Sequence, residues 1–176
     1  MGEVKYRSPF NTLRIEEGYS DVRGKRFKNF RIIKSDAVVI IPFLDKNTII
    51  MERQFRFAVN KKILELPAGS IDKGESRENA VKRELTEETG YYPKRIRFMF
   101  KTWNNPALMD YFEYFYIAYD LVKKKRNLDE NEVITPIKIK LKDAMEKVYK
   151  GKILDTKTML ALLFYSNLNK INGLGP

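Results

Sequence analysis

The chain contains no cysteine and no histidine. These two absences exclude disulfide bonds, zinc sites built on thiolate or imidazole, and catalysis by Cys–His or Ser–His–Asp groups. Any bound metal ion must be held by oxygen atoms, and oxygen ligands favour hard ions such as Mg²⁺ or Mn²⁺. A general base in any reaction of this protein must then be sought among its carboxylates.

Long apolar runs are also missing from the sequence. No stretch approaches the roughly 20 apolar residues that a membrane-spanning helix needs. The first residues, MGEVKYRSPFNTL, lack the apolar core of a secretory signal. We therefore expect a cytoplasmic location and no membrane partner.

The charge of the chain is strongly one-sided, with 34 basic and 23 acidic residues and a net charge of +11. Nucleic-acid binding is one interpretation of such an excess. The lysines, however, are spread along the whole chain, so nucleic acid is not the expected partner. A basic surface would still attract small phosphorylated substrates. With 176 residues and 43% hydrophobic content, the chain has the size and composition of one globular domain.

Strand patterns dominate the chain on both sides of one internal helix. Residues 36–55 predict two strands around the turn residues LDKN, and GYSDVRGKRFKNFRIIK predicts a strand pair that turns at RGK. Further strands are predicted in KKILE, RIRFMFKTW, YFEYFYIAYDL and TPIKIK.

The internal helix is predicted over residues 77–89, which are good helix formers. Ser76 is a plausible N-cap, and Gly90 stands where a glycine commonly ends a helix. Two closing helices are predicted in LKDAMEKVYKG and in DTKTMLALLFYSNLNK, the second capped by Asp155. This order of elements predicts a mixed α/β sandwich.

Three carboxylates crowd the C-terminal end of the internal helix. At about 100° per residue, Glu87 and Glu88 lie about 60° and about 40° to either side of Glu84, so the three can converge. The helix dipole disfavours negative charge at this end, and a divalent cation is the simplest means of neutralising it. The alternative is a solvated acidic face paired with Lys82 and Arg83.

The residues before the helix favour the metal site. Gly69 and Gly74 bracket a loop that returns the chain to the helix start, and the LPAG turn offers the backbone carbonyl of Ala68 near the helix. Arg83 stands beside the carboxylates and can pair with one of them.

Gly69, Glu75 and the run RELTEETGY from Arg83 to Tyr91 resemble the Nudix box of the Nudix hydrolases. Tyr91 departs from the family, which usually has an aliphatic residue there. The resemblance implies a Nudix fold, an α/β/α sandwich around a mixed sheet. It also implies hydrolysis of a nucleoside diphosphate linked to a group X, with Mg²⁺ as the cofactor and Mn²⁺ as a possible substitute.

The stretches ERQFRFAVNKKILELPAGSIDKGES, LDENEVI and GKILDTKTMLALLFY extend the likeness to the ADP-ribose pyrophosphatases, as does Pro106. This implies cleavage of ADP-ribose or a related nucleoside diphosphate sugar to AMP and a sugar phosphate. Ala107 and Tyr111 depart from the subfamily, which often has Gly and Glu at these places. Hydrolysis of dinucleoside polyphosphates or nucleoside triphosphates stays open, as does a non-catalytic nucleotide- or RNA-binding module.

The resemblance also implies roles for particular residues. The carbonyl of Ala68 and the carboxylates of Glu84, Glu87 and Glu88 would hold metal, and Arg83 would orient the cluster.

Other residues would act on the substrate. Glu130 is expected to be the general base, with Glu132 as the second choice; the alternative is an exposed acidic loop. Arg56 and Glu65 are expected to contact the substrate phosphate and the nucleoside part, and the alternative for them is a surface strand pair.

The domain organisation follows from the same likeness. Residues 36–170 are predicted to form the Nudix hydrolase domain, and residues 171–176 a tail. Residues 1–35 exceed what the core fold needs and are predicted to be an antiparallel strand extension. Because such segments often cross to the partner in the ADP-ribose pyrophosphatases, we expect a homodimer.

Overall fold

The computed structural model describes residues 3–7, 13–128 and 133–172. These residues contain two mixed β-sheets and three α-helices. The strands are β1 (Glu3–Arg7), β2 (Leu13–Val22), β3 (Lys25–Lys34), β4 (Ala37–Asp45), β5 (Thr48–Arg56), β6 (Lys61–Glu65), β7 (Ala68–Ser70), β8 (Tyr91–Trp103), β9 (Met109–Asp110), β10 (Phe112–Lys123) and β11 (Ile134–Lys140). The helices are α1 (Arg77–Thr89), α2 (Leu141–Tyr149) and α3 (Thr156–Asn172).

The larger sheet has the strand order β11-β5-β4-β10-β8, and β6 and β7 are added to it by pairing with β5 and β4. The pairing of β4 with β10 is parallel, and the other pairings in this sheet are antiparallel. Because β7 leads into the loop before α1, its pairing with β4 fixes the start of that loop against the centre of the sheet.

Strand β4 shows why helices cover both faces of the larger sheet. Its side chains alternate, and both sets are buried. Val38 and Ile40 pack in one cluster with Leu85 of α1, whereas Val39 and Ile41 pack in a second cluster with residues of α2 and α3. A strand buried on both faces is continuously apolar. The predicted α/β/α sandwich is therefore confirmed.

Both predicted caps of α1 are present. The hydroxyl of Ser76 accepts a hydrogen bond from the backbone N–H of Asn79 at 3.2 Å. Gly90 has a φ of 76° and donates its N–H to the carbonyl of Thr86 at 2.9 Å. The left-handed φ explains why a glycine ends the helix at this point. Asp155 likewise caps α3, because its carboxylate accepts the N–H of Thr158 at 3.0 Å.

The smaller sheet has the order β1-β2-β3-β9. Strands β2 and β3 form the predicted hairpin, and its turn residues Arg23 and Gly24 have positive φ angles of 52° and 72°. The short strand β9 comes from the middle of the chain and pairs in parallel with β3. The domain boundaries at residues 35 and 170 stay predictions. Among the described residues, no helix is both long enough and apolar enough to cross a membrane.

Candidate active site

A cavity of about 620 Å³ lies at the loop before α1 and is lined by residues from distant parts of the chain. We call the members contributed by α1 and its preceding loop the helix group: Asp72, Arg83, Glu84 and Glu87. The second group comes from elsewhere in the chain: Lys34, Gln54, Arg56, Asn104, Tyr111, Glu113, Asp155 and Lys157. Ala68, Gly69 and Ser70 of β7 also line the cavity.

Arg83 lies at the centre of the helix group. It donates to both oxygens of Glu75, at 3.0 and 2.8 Å, and to the carbonyl of Ser70 at 2.8 Å. Its Nη1 donates to Glu84 at 2.8 Å and to Glu87 at 3.3 Å. The hydrogen bond to Glu75 is the main factor that raises the pKa of Arg83, and the same bond lowers the pKa of the Glu75 carboxyl. Arg83 therefore stays charged and ties α1 to the loop that precedes it.

The third carboxylate of the cluster, Glu88, turns toward the LPAG turn. It is only 1% exposed, and its Oε2 accepts the backbone N–H of Ala68 at 3.1 Å. Glu84 lies against the next residue of that turn, because a Cβ added to Gly69 would lie 2.0 Å from the Cδ of Glu84. The turn and the acidic end of α1 are therefore in direct contact.

The fit of this cluster to a divalent cation rests on its donor atoms. The carboxylates of Glu84, Glu87 and Glu88 are the oxygen ligands that hard cations prefer. Within the described ranges no three acidic side chains are gathered into an ion site as they stand, and Glu84 and Glu87 both accept hydrogen bonds from Arg83. The residues fit the ion in chemistry, and ligation requires side-chain rotation. Their assignment as ligands, with the carbonyl of Ala68, stays a prediction.

A buried ion pair organises part of the second group. Arg56 donates from Nε to Glu65 Oε1 at 2.7 Å and from Nη2 to Oε2 at 2.8 Å. Glu65 is fully buried and also accepts a hydrogen bond from Lys157. Lys157 in turn bonds to Asp155 at 2.8 Å. One carboxylate therefore holds two cations at the cavity, and the predicted contact of Glu65 with the nucleoside stays untested.

The sequence does not assign a site role to Asn104 or Lys34, and it offers Glu113, with Asp110, only as a further candidate for the base if neither Glu130 nor Glu132 is the base. The Oε1 atom of Glu113 accepts hydrogen bonds from Asn104 Nδ2 at 3.0 Å and from the hydroxyl of Tyr111 at 3.4 Å. Lys34 Nζ lies 4.8 Å from the centre of the Tyr111 ring. Burial raises the pKa of Glu113, and burial also raises the pKa of Tyr111 to about 12. An acidic residue inside the aromatic run YFEYFY is the signal that could have identified Glu113.

Gln54 is a further site residue that sequence reasoning misses. It is only 6% exposed, it lines the cavity, and its Oε1 has no hydrogen-bond partner among the described residues. The spacing of Gln54 from Arg56 is the sequence feature that could have identified it, because residues two apart on a strand share a face.

The expected base Glu130 and its alternative Glu132 lie outside the described residues. The chain on either side of residues 129–132 is held near the end of α1 by Arg126. Its Nε donates to the carbonyl of Glu88 at 2.6 Å and its Nη2 to the carbonyl of Ile134 at 2.6 Å. The assignment of the base stays a prediction.

Comparisons with known proteins agree with this geometry. The NUDIX domain model matches residues 34–156. The chain is 34% identical over 143 residues to an ADP-ribose pyrophosphatase of Bacillus subtilis (strain 168), covering 80% of this chain and 77% of that protein. A methanol dehydrogenase activator of Bacillus methanolicus matches with the same identity and coverage. A GDP-mannose pyrophosphatase of Escherichia coli O1:K1 is 29% identical over 135 residues, or 72% of this chain and 70% of that protein.

The fold also has a close match among solved structures. A crystal structure of an ADP compounds hydrolase superimposes with a TM-score of 0.85 and 24% sequence identity, covering 98% of this chain and 94% of that chain. At this level of identity the likeness shows the fold.

Proposed function

The chain belongs to the NUDIX family, and from this membership we propose that it is a pyrophosphohydrolase acting on ADP-ribose or a related nucleoside diphosphate sugar. The products are AMP, when the substrate carries ADP, and a sugar phosphate. The relatives named ADP-ribose pyrophosphatase and GDP-mannose pyrophosphatase support this substrate class. The arrangement that carries the proposal is one cavity that contains both an acidic helix end and a set of fixed cations.

The cations at the cavity support the proposed binding of a diphosphate. Arg56 and Lys157 both line the cavity, and the fully buried Glu65 holds them through hydrogen bonds. A guanidinium held in this way loses little further freedom when it binds an anion. We propose that Arg56 and Lys157 bind the phosphates and that Glu65 positions them.

The acidic end of α1 is where we propose that a metal ion binds. Members of the family generally use divalent metal ions, and we propose Mg²⁺, with Mn²⁺ as a possible substitute. The carbonyl of Ala68 and the carboxylates of Glu84, Glu87 and Glu88 would hold it, and Arg83 would orient Glu84 and Glu87. A divalent cation there would screen the charge of the diphosphate and make a nearby water easier to deprotonate. We expect activity to require added metal and to rise toward alkaline pH.

Attack at phosphorus also needs a base to accept the proton of water. We propose Glu130 for this role, with Glu132 as the second choice. The contacts of Arg126 with the carbonyls of Glu88 and Ile134 support the proposal, because they attach the chain flanking this segment to the end of α1.

A substrate panel tests the proposed function. The protein is incubated with Mg²⁺ and ADP-ribose, GDP-mannose, a dinucleoside polyphosphate or a nucleoside triphosphate, and the products are followed by phosphorus NMR. AMP and ribose 5-phosphate from ADP-ribose support the proposal. Turnover only of the polyphosphates would assign the protein to that group of hydrolases, and binding without any turnover would indicate a non-catalytic module.

We propose further that the protein is a homodimer assembled through the smaller sheet. Tyr6, Tyr19 and Phe30 of that sheet are 51%, 60% and 53% exposed, and such aromatic side chains are typical of interfaces. Sedimentation at micromolar concentration tests this, and a monomer there would contradict it. The cytoplasmic location expected from the sequence stays a proposal, to be checked by fractionation of cells that produce the protein.

A further inference from the structure

Two side chains of the cavity, Gln54 and Glu113, each have an oxygen atom that accepts no hydrogen bond from a described residue. Gln54 is 94% buried, being 6% exposed, and its Oε1 has no partner among the described residues. Glu113 is 5% exposed; its Oε1 accepts from Asn104 and Tyr111, whereas no hydrogen bond from the described ranges reaches Oε2. Both residues line the cavity.

The Oε1 atom of Gln54 points to a ligand, because it is a buried acceptor without a donor among the described residues and buried acceptors are normally hydrogen-bonded. Leaving an acceptor buried without a donor destabilises the folded protein. Asn104 and Tyr111 fix the carboxylate of Glu113 through one oxygen, so the other oxygen is held in place before any ligand arrives. The buried Oε1 of Gln54 therefore lowers the stability of the protein, and the fixed carboxylate of Glu113 is oriented in advance for a partner.

The chemistry of that partner follows from the acceptors. A phosphate is disfavoured as the partner of an ionised Glu113, because two anions repel each other. A metal ion shared with Asp155 is disfavoured, since both oxygens of Asp155 already accept hydrogen bonds, one from Lys157 and the other from Thr158. The partner must donate hydrogen bonds, and the hydroxyl groups of a sugar do so, with strong bonds to a carboxylate.

We propose that Glu113 and Gln54 recognise the hydroxyl groups of the X portion, so that the enzyme selects nucleoside diphosphates carrying a polyhydroxylated sugar. The proposal rests on the proposed function and extends it. Arg56 and Lys157 bind the phosphates, and Glu113 and Gln54 bind the sugar that is attached to the phosphates. Asn104 and Tyr111 are positioning residues for Glu113.

Binding of two matched ligands tests the proposal. ADP-ribose and the β-methyl ester of ADP share the nucleoside and the diphosphate, but the methyl group of the ester offers no hydroxyl. Calorimetry in EDTA gives the dissociation constant of each ligand. The wild type should bind ADP-ribose more tightly by about 10-fold or more, the effect expected of a hydrogen bond to a charged group. Glu113→Gln should lose most of this preference while binding the methyl ester within about twofold of wild type.

Two further variants separate recognition from folding. Gln54→Met has a similar length and lacks the buried acceptor, so it should raise the melting temperature and also weaken the preference for ADP-ribose. Asp110→Asn removes the same charge from an exposed carboxylate, 57% accessible, on the neighbouring strand β9. It should bind both ligands as the wild type does.

Several outcomes would overturn the proposal. An equal loss of affinity for both ligands in Glu113→Gln would mean that this residue supports the fold or the phosphate site. Equal affinity of the wild type for the two ligands would show that the protein does not recognise the sugar hydroxyls. The proposed function fails separately: preferential binding of ADP-ribose without release of AMP in Mg²⁺ would sink that function and leave the recognition intact.

Discussion

The carboxylate of Glu84 occupies the space where a side chain at Gly69 would begin. A Cβ on Gly69 would lie 2.0 Å from the Cδ of Glu84 and 2.1 and 2.2 Å from its two oxygens. A glycine is therefore needed here because the two groups approach so closely. Backbone conformation is not the reason, because the φ of Gly69 does not lie in the left-handed range. Because Gly69 has no side chain, its backbone lies directly against Glu84 and helps to set the position of this predicted metal ligand.

Gly69→Ala should move that carboxylate with little effect on stability, because only the end of a flexible side chain is displaced. We expect the free energy of unfolding to change by less than about 1 kcal/mol. The Mg²⁺ concentration for half-maximal activity should rise about 10- to 100-fold, as when a group that orients a metal ligand is altered.

Gly74→Ala is the matched control in the same loop. Gly74 has a φ of +85°, and a methyl group at this position would meet open space. The substitution should lower stability by about 1 kcal/mol through backbone strain and leave the Mg²⁺ requirement unchanged. A Gly69→Ala enzyme with a normal Mg²⁺ requirement would contradict the assignment of Glu84.

Glu65→Gln tests whether Glu65 acts through Arg56. Loss of the buried charge leaves Arg56 and Lys157 less firmly held, which should lower stability by about 1–3 kcal/mol. We expect kcat/KM for ADP-ribose and GDP-mannose to fall by the same factor. Arg56→Lys should show the same pattern, because lysine cannot replace the bidentate contact. A changed preference between the two nucleosides in Glu65→Gln would instead indicate direct contact with the nucleoside.

The pH dependence of stability should reveal the buried carboxyl of Glu113. Burial raises its pKa in the folded protein above the ordinary value of 4.5, despite opposing hydrogen bonds from Asn104 and Tyr111 and the charge of Lys157. The folded state therefore binds the proton more tightly than the unfolded state. The stability contribution of this group is present below about pH 4.5 and is lost as pH rises through the folded pKa.

Denaturant unfolding of the wild type and Glu113→Gln at pH values from about 4 to 8 measures this effect. The variant cannot titrate at this position, so its stability should increase relative to the wild type as pH rises. Asp110→Asn should follow the wild type. Parallel curves for the wild type and Glu113→Gln would show that Glu113 has no raised pKa.

Variants of two nearby glutamates test which carboxylate is the general base. Glu130→Gln should lower kcat by about 10²- to 10⁴-fold with little change in KM or metal affinity, because a general base acts in the transition state. Glu132→Gln should be milder. The opposite ranking would exchange the two roles, and two active variants would place the base elsewhere.

Local rules explain why much of the fold could be predicted. The caps of α1 depend on Ser76 and Gly90, which lie next to the helix in sequence. The sequence predicts a strand that contains Pro136, and β11 tolerates this proline because β11 is at one edge of the sheet. The predicted strand RIRFMFKTW is too short: β8 begins at Tyr91 and includes Pro93. Strand β8 is the other edge, where proline is tolerated.

The parts of the site that could not be predicted come from long-range contacts. The acidic cluster was identifiable because Glu84, Glu87 and Glu88 share one helix. Gln54 and Glu113 come from separate strands, and only the pairing of both strands with β4 brings them to one cavity. No local spacing rule predicts such a meeting.

We propose that the acidic end of α1 holds the divalent ion used in hydrolysis. The most direct test is the rate of AMP formation from ADP-ribose, followed by phosphorus NMR. The wild type should form AMP and ribose 5-phosphate in Mg²⁺ and neither in EDTA. Glu84→Gln and Glu88→Gln should fold normally and lose about 10³-fold in kcat. Glu78→Gln, at the exposed start of the same helix, should remain active. Full activity in EDTA, or a kcat above about a tenth of wild type in either Glu84→Gln or Glu88→Gln, would contradict this proposal.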